Sequence, residues 1–257
     1  MFKYLRVLAM GIKDRKAFRS NYYLGFISIP IQILIVYYFW KYANINNDLA
    51  VFSLNSITLY FIAINLLELS YIPAMYICYE VWESINNGGF ITWLARPVDY
   101  IALKFFEKFG VFILNLIPSI IIYNLIAIVM FKIEFIILVY GLLSSILGFI
   151  LLFLLQMLLG LCSFWLKKTL TLRDLVFEIF ELLGGSMIPV DYFPNIIKTV
   201  SIYSPFAYIY YAPAKILSGV QTDNSKILLL QIFWIAILTI ICKVILKLGM
   251  HKVSQGG

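Results

Sequence analysis

Residues 135–166 read FIILVYGLLSSILGFILLFLLQMLLGLCSFWL, a run of 32 residues without one charged side chain. A helix needs about 20 apolar residues to cross a hydrocarbon layer about 30 Å thick, so this run is long enough to span a membrane. Four further uncharged runs contain 21 residues between Arg19 and Lys41, 19 between Asp48 and Glu68, 23 between Lys108 and Lys132, and 16 between Lys226 and Lys243. The five runs predict five membrane-spanning helices.

The composition of the chain excludes a soluble globular protein. Of its 257 residues, 63% are hydrophobic and 13% are charged, whereas soluble domains have about 45–50% apolar and about 25% charged residues. The net charge is +7, but the basic residues lie between the apolar runs and form no continuous basic face, so no nucleic acid partner is expected. Three cysteines, Cys78, Cys162 and Cys242, lie in or beside apolar runs, which argues against a disulfide framework.

A sixth span is predicted at residues 171–189, although this stretch contains four charged residues. With six spans and both termini in the cytoplasm, the cytoplasmic segments hold 15 lysine and arginine residues and the other side holds five. An excess of lysine and arginine residues on the cytoplasmic side is typical of membrane proteins. The sequence therefore predicts an all-α integral membrane protein, one domain over residues 1–257, with six transmembrane helices at 21–40, 50–77, 109–131, 135–165, 171–189 and 227–247.

The segment before the first span has its own pattern. Within residues 1–20, Phe2, Leu5, Leu8 and Ile12 form an apolar face opposite basic side chains. This pattern predicts an interfacial amphipathic helix on the cytoplasmic membrane surface. The alternative is a basic flank that only sets the orientation of the first span.

The longest predicted cytoplasmic connection, residues 79–108, is not composed like a solvated loop. It holds Trp82, Ile85, Phe90 and Trp93 around a Gly88-Gly89 break. Short helices with large apolar side chains must bury them against either the bilayer surface or a soluble partner. The residues alone favour neither.

Residues 184–219 form a second unusual segment, GGSMIPVDYFPNIIKTVSIYSPFAYIYYAPAKILSG. Its four prolines prevent one long helix, yet the chain between them stays apolar. Short re-entrant helices between spans five and six, on the outer side and packed against the bundle, explain this pattern better than a polar loop.

These features together resemble the membrane subunit of ABC-2 type exporters, the ABC-2 type transporter permease. Residues 88–97, GGFITWLARP, are similar to a G-x-L-x-x-x-L-x-R-P run of one branch of that family. The external segment, from Gly185-Ser186-Met187-Ile188-Pro189 to Leu217-Ser218-Gly219, resembles the family's "G-x-x-I-P … P … P-F … G" pattern. The resemblance covers essentially the whole chain.

The resemblance implies a fold, partners and site residues. Residues 79–108 would be a coupling element seated on one of two cytosolic ABC ATPase subunits, which would carry the ATP and Mg. A second permease subunit, identical or homologous, would complete a dimer in the prokaryotic plasma membrane, surrounded by membrane lipid. The substrate would be a small molecule or peptide exported from the cell. The expected ATPase-coupling residues are Trp82, Ile85, Gly88, Gly89, Phe90, Trp93, Leu94, Arg96 and Pro97.

Three glutamates lie at similar predicted depth in the cytoplasmic leaflet, namely Glu68 in span two and Glu178 and Glu181 in span five. Because a charge that faces lipid costs about 2.5–3.5 kcal/mol, these side chains are expected to face protein or a water-filled path. They either fix helix packing or line a translocation path. In the resembled family, spans two and five border the central interface.

The sequence also limits the chemistry of the chain itself. It contains no G-x-x-x-x-G-K-[ST] phosphate-binding motif, and His251 is its one histidine. No catalytic, cofactor-binding or metal residues are therefore predicted. The alternative function is a secondary active transporter with no ATPase partner, although the spans show no two matched halves with interrupted helices. An intramembrane enzyme acting on lipid would need a nucleophile and base pair that the spans lack.

Overall fold

The computed structural model of the protein describes residues 7–8, 11, 19–43, 52–94, 99–220 and 222–255. All regular structure in these residues is helical. The helices are α1 (Arg19–Ala43), α2 (Leu54–Met75), α3 (Ile77–Asn86), α4 (Ile91–Leu94), α5 (Tyr100–Phe131), α6 (Phe135–Leu161), α7 (Thr169–Leu183), α8 (Asn195–Tyr203), α9 (Tyr211–Leu217) and α10 (Asn224–Gln255). Three short 3₁₀ turns, Cys162–Phe164, Val190–Tyr192 and Phe206–Tyr208, connect some of them.

Four segments of the described chain are long and apolar enough to cross a membrane: Leu54–Asn86, Tyr100–Ile128, Phe135–Phe164 and Asn224–Lys252. They agree with predicted spans two, three, four and six. Helix α1 has 25 residues and coincides with predicted span one. Helix α7, at predicted span five, has 15 residues and measures about 22 Å, less than the hydrocarbon thickness of about 30 Å. The count of six spans stays a prediction.

Several helix ends differ from the predicted boundaries. The chain remains helical beyond span two, since α3 follows α2 after the single residue Tyr76. Helix α5 begins at Tyr100, where the Asp99 side chain accepts a hydrogen bond from the Ala102 amide at 3.0 Å. Much of the predicted 79–108 connection is therefore helix. A charged residue ends an uncharged run in the sequence, but it does not end a helix, because lysine and glutamate are good helix formers.

The core of the bundle lies around α2 and α6. Helix α2 packs against α1, α5 and α6, and α6 also packs against α3 and α10. The short external helix α9 is buried between α2 and α6. Its carboxyl end is held by Tyr123 of α5, whose hydroxyl donates a 2.6 Å hydrogen bond to the Leu217 carbonyl oxygen.

The packing of α9 fits the expected burial of the external segment, and its re-entry into a membrane stays a prediction. The predicted interfacial helix of residues 1–20 lies mostly outside the described residues. Val7, Leu8 and Gly11 are helical, and Gly11 is buried against α5, where an added Cβ would clash with the Glu107 carbonyl oxygen.

Candidate functional site

A tight turn joins α3 to α4 at the predicted cytoplasmic end of the bundle. Gly88 has φ +70°, in the left-handed region that favours glycine, so this residue lets the chain reverse. The Phe90 amide then donates a 2.8 Å hydrogen bond back to the Ser84 carbonyl oxygen. The Thr92 hydroxyl donates a 2.7 Å bond to the Gly89 carbonyl oxygen at the start of α4. The predicted Gly88-Gly89 break is therefore a folded corner.

The apolar residues at this corner divide into a buried group and a surface group. Phe90 is 3% exposed and packs edge-on against the rings of Tyr100 and Phe164. Trp93 is partly buried against Tyr100. Ile91, which was not among the predicted coupling residues, is 59% exposed.

The remaining predicted coupling residues differ in exposure. Trp82 and Ile85 are partly buried on α3, and Gly88 lies at the surface. Arg96 and Pro97 lie outside the described residues, as does the Leu94 side chain. Phe90 therefore holds the corner to the bundle, whereas a docking partner would meet Ile91. The sequence alone could not show this difference, because Phe164, one of the two covering residues, is distant in sequence from α4.

Four charged side chains fix α3 to the start of α5. The Glu80 carboxylate accepts a 2.9 Å hydrogen bond from Lys104 and a second bond from Lys108. Glu107 pairs with the same lysines, at 3.5 Å to Lys104 and 3.0 Å to Lys108. The network balances two positive with two negative charges and holds α3 to α5. The i, i+3 and i+4 spacing of Lys104, Glu107 and Lys108 on α5 is visible in the sequence. Their pairing with Glu80 of α3 cannot be predicted from it.

Close helix packing fixes the other side of α3. Gly160 of α6 lies directly against this helix, and a Cβ atom at position 160 would lie 2.7 Å from the Val81 Cβ. It would also lie 3.2 Å from the Cys78 Cα, which is backbone and has little freedom to move. Helices α3 and α6 therefore form one tightly packed pair.

Two of the three predicted carboxylates are brought together. Glu68 on α2 and Glu181 on α7 are both partly buried, and their carboxyl groups are close enough to interact through their charges. Tyr210 lies near both groups. Its ring stacks on Tyr71 at 5.4 Å and on Phe180 at 5.4 Å between ring centres. The aromatic stack thus links α7 to the centre of the bundle beside the carboxyl pair.

Glu178 lies one turn before Glu181 on α7, so its charge also acts on Glu181, but its side chain is exposed. It lies on an exposed face of α7 with Asp174 and the apolar side chains Leu175, Ile179 and Leu182. Only Thr169 and Phe180 of this helix are buried. This face combines carboxylates, which are costly in lipid, with large apolar groups, which are unfavourable in water. It therefore suits neither lipid nor water alone.

A polar cluster closes the external segment. The Asp191 carboxylate accepts hydrogen bonds from Lys215 at 2.7 Å and from the Tyr211 hydroxyl at 2.8 Å, and it pairs with Lys198 at 3.2 Å. Burial alone would raise the pKa of the Asp191 carboxyl. The hydrogen bond and charge of Lys215, with the bonds from Tyr211 and Lys198, outweigh this effect and lower the pKa. This cluster ties α8 and α9 to the Val190–Tyr192 turn.

The described residues offer no metal site, since no group of three or more His, Cys, Asp or Glu side chains among them is placed to hold an ion. The three cysteines are free. The arrangement is that of a multi-pass helical membrane protein with a folded corner between α3 and α4.

The chain belongs to a family of transporter membrane proteins, because the family model described as "ABC-2 family transporter protein" matches residues 26–257. This match confirms the family that the sequence motifs resembled. The protein is therefore a permease component of an ABC transporter. No curated protein gives a significant match to the chain.

Proposed function

We propose that this chain is the permease subunit of an ATP-driven exporter that moves an amphiphilic or hydrophobic compound out of the cell. Two separate ATPase subunits bind ATP and Mg, and a second permease, identical or homologous, completes the membrane part. Both termini lie in the cytoplasm in this arrangement. Family membership supports the transport role, and the folded corner at Gly88 supports the coupling to an ATPase.

The exposed side chain of Ile91 carries this proposal. A partner that bound only flexible loop would transmit little force, whereas Ile91 lies on a corner fixed by the burial of Phe90. The corner continues into α3, which is held by the Glu80 network and by the packing on Gly160. A movement of the corner therefore carries α3 with it. The ATPase transmits work only when its contact with this corner differs between nucleotide states.

The face of α7 supports the second permease subunit. Glu178 is exposed beside Leu175 and Ile179, and a second subunit or a water-filled path would remove this carboxylate from lipid hydrocarbon. The Glu68–Glu181 pair then lies behind this face and gives the path an acidic character. The attraction between opposite charges is stronger in a partly dehydrated path than in bulk water, so a cationic amphiphile is the favoured substrate.

An Ile91→Asp variant tests the coupling role directly. A charge in an apolar contact that excludes water is expected to reduce ATPase binding by tenfold or more, about 1.4 kcal/mol. The measurement is the amount of ATPase chain that co-purifies with the tagged permease from its own cells. Ile196→Asp is the matched control, since Ile196 is 80% exposed on α8 at the opposite end of the bundle.

Equal ATPase recovery with Ile91→Asp and wild type would contradict the coupling role. Recovery of wild-type permease without any ATPase chain would favour a secondary transporter. Membrane insertion is checked by detergent extraction and size-exclusion profile, and we expect both variants to match wild type because both substituted side chains are exposed.

A further inference from the structure

A crevice of about 320 Å³ lies between the α2–α3 junction and the first turns of α7. It is lined by Met75, Tyr76, Tyr79, Leu170, Arg173 and Asp174. This volume is in the range of sites that hold small molecules or parts of larger ones. The lining combines two aromatic rings, two apolar chains and one pair of opposite charges.

With Leu54 at the opposite membrane boundary, the crevice would lie at the depth of lipid headgroups. Tyr76 follows the first residue of α2, Leu54, by 22 residues, which corresponds to about 33 Å of helix. This distance is close to the hydrocarbon thickness of about 30 Å. Tyr76 is 60% exposed and Tyr79 is 48% exposed, as expected of aromatic rings at a membrane–water boundary.

The Arg173 side chain is held in place by contacts that use only some of its N–H donors. One guanidinium nitrogen donates to Asp174 at 2.8 Å, and the other donates to the Met75 carbonyl oxygen at 3.4 Å. The guanidinium carbon lies 5.2 Å from the centre of the Phe177 ring. A guanidinium has five N–H donors in a planar fork that matches a phosphate group. These contacts fix its orientation and leave further donors for a ligand.

Asp174 places a negative charge beside this donor. Its side chain is 65% exposed, and Oδ1 is the atom that contacts Arg173. A carboxylate has two oxygens and about four acceptor positions, so it accepts further hydrogen bonds without losing Arg173. The crevice therefore presents a phosphate-binding group and an ammonium-binding group next to each other.

We propose that this crevice binds the headgroup of a zwitterionic phospholipid that has a primary ammonium group, with the phosphate on Arg173 and the ammonium on Asp174. The Tyr76 and Tyr79 rings lie beside the glycerol region and the first part of the acyl chains. The site is a property of this chain in its membrane and does not depend on the compound that the transporter moves.

The charge pair distinguishes this lipid from the other common classes. An anionic headgroup such as glycerol phosphate satisfies Arg173 but is repelled by Asp174. A choline headgroup carries the right charges, but its trimethylated nitrogen has no N–H to donate to the carboxylate. Discrimination thus arises from one attractive and one repulsive group.

The test is native mass spectrometry of the delipidated full-length chain with dioleoyl phosphatidylethanolamine, phosphatidylcholine and phosphatidylglycerol in equal amounts. We expect wild type to retain phosphatidylethanolamine over phosphatidylglycerol by about fivefold, the effect of one charge near the membrane surface. Asp174→Asn is expected to abolish this preference. Arg173→Gln is expected to lower the retention of all three lipids.

Glu134→Gln is the control, since Glu134 is an exposed carboxylate before α6 that makes no helix-capping hydrogen bond and does not line the crevice. It is expected to bind lipids as wild type does. Any of three results would overturn the proposal: equal retention of the three lipids by wild type, a preference of wild type for phosphatidylglycerol, or equal effects of Glu134→Gln and Asp174→Asn. The exposure of the Asp174 side chain ensures that Asp174→Asn tests binding and not folding, which an unchanged melting temperature verifies.

Discussion

One interhelical hydrogen bond replaces a bond that a proline removes. Pro73 in α2 has no N–H, so the Leu69 carbonyl oxygen four residues earlier lacks its usual helical donor. The Asn115 side chain of α5 donates to this oxygen at 3.2 Å. Beside it, Ser70 donates to Ser119 at 3.1 Å, which joins the same two helices. The amide of Asn115 therefore compensates for the proline.

This arrangement predicts a double-mutant cycle with a definite sign. Asn115→Leu leaves the Leu69 carbonyl oxygen unpaired and is expected to cost about 0.6–1.7 kcal/mol, the average and the upper end for interhelical hydrogen bonds in membranes. Pro73→Ala supplies a backbone N–H for the same oxygen. In that background Asn115→Leu is expected to cost close to zero, which gives a coupling energy of about 1 kcal/mol.

The measurement is the free energy of unfolding of the purified chain by titration with a denaturing detergent. Pro118→Ala is the control, because Pro118 lies in α5 and its removal restores no donor to Leu69. The cost of Asn115→Leu should be unchanged in that background. Additive costs of Asn115→Leu and Pro73→Ala, within about 0.5 kcal/mol, would refute the compensation.

Three further predictions concern the acidic pair, the external cluster and the orientation of the chain. Glu68→Gln and Glu181→Gln are each expected to reduce vesicle uptake of a cationic amphiphile several-fold while sparing its neutral analogue, and equal loss of both would mark these residues as packing residues. The pKa of the Asp191 carboxyl is lowered in the folded chain. The ionised carboxylate therefore stabilises the folded state above the pKa of about 3.9 that it has in the unfolded chain. This stabilisation is lost as the pH falls through the pKa of the folded state. The melting temperature should therefore drop in acid, and Asp191→Asn should cost about 1–3 kcal/mol at neutral pH and flatten that drop. In intact cells a membrane-impermeant maleimide should label Asn195→Cys but not Asn87→Cys, with the unsubstituted chain as the blank, and the reverse result would invert the topology.

Counting uncharged runs located the middles of the long helices but not their ends. The run that predicted span three begins after Lys108, whereas α5 begins at Tyr100. Lys104 and Lys108 are tolerated in the helix because Glu80 and Glu107 pair with them. Three of these residues are close in the sequence, but Glu80 comes from another helix. A method that counts charges along one segment cannot detect such neutralisation.

The candidate site was predictable in its chemistry and not in its geometry. The Gly88-Gly89 break and the apolar corner followed from local sequence, since glycine and turn chemistry act over a few residues. Whether Phe90 or Ile91 faces a partner depends on Tyr100 and Phe164, which cover one of them only after the chain has folded. The approach of Glu68 to Glu181 likewise depends on how α2 and α7 pack.

The packing indicates which parts of the proposed transporter move together. Helix α3 packs so closely on Gly160 of α6 that an added Cβ would lie 2.7 Å from the Val81 Cβ, and we expect a force on the corner to move these two helices as a unit. Helix α9 packs against both α2 and α6, so the external segment is joined to the same unit. Helix α7 buries little of its surface and leads into the Gly184-Gly185 turn, where Gly185 has φ +76°. Because packed interfaces switch between discrete arrangements and do not deform continuously, a nucleotide-driven change is expected to reposition α7 relative to this unit. Glu181 and the exposed face of α7 would then change their distance from Glu68, and this movement would couple the proposed ATPase to the acidic pair.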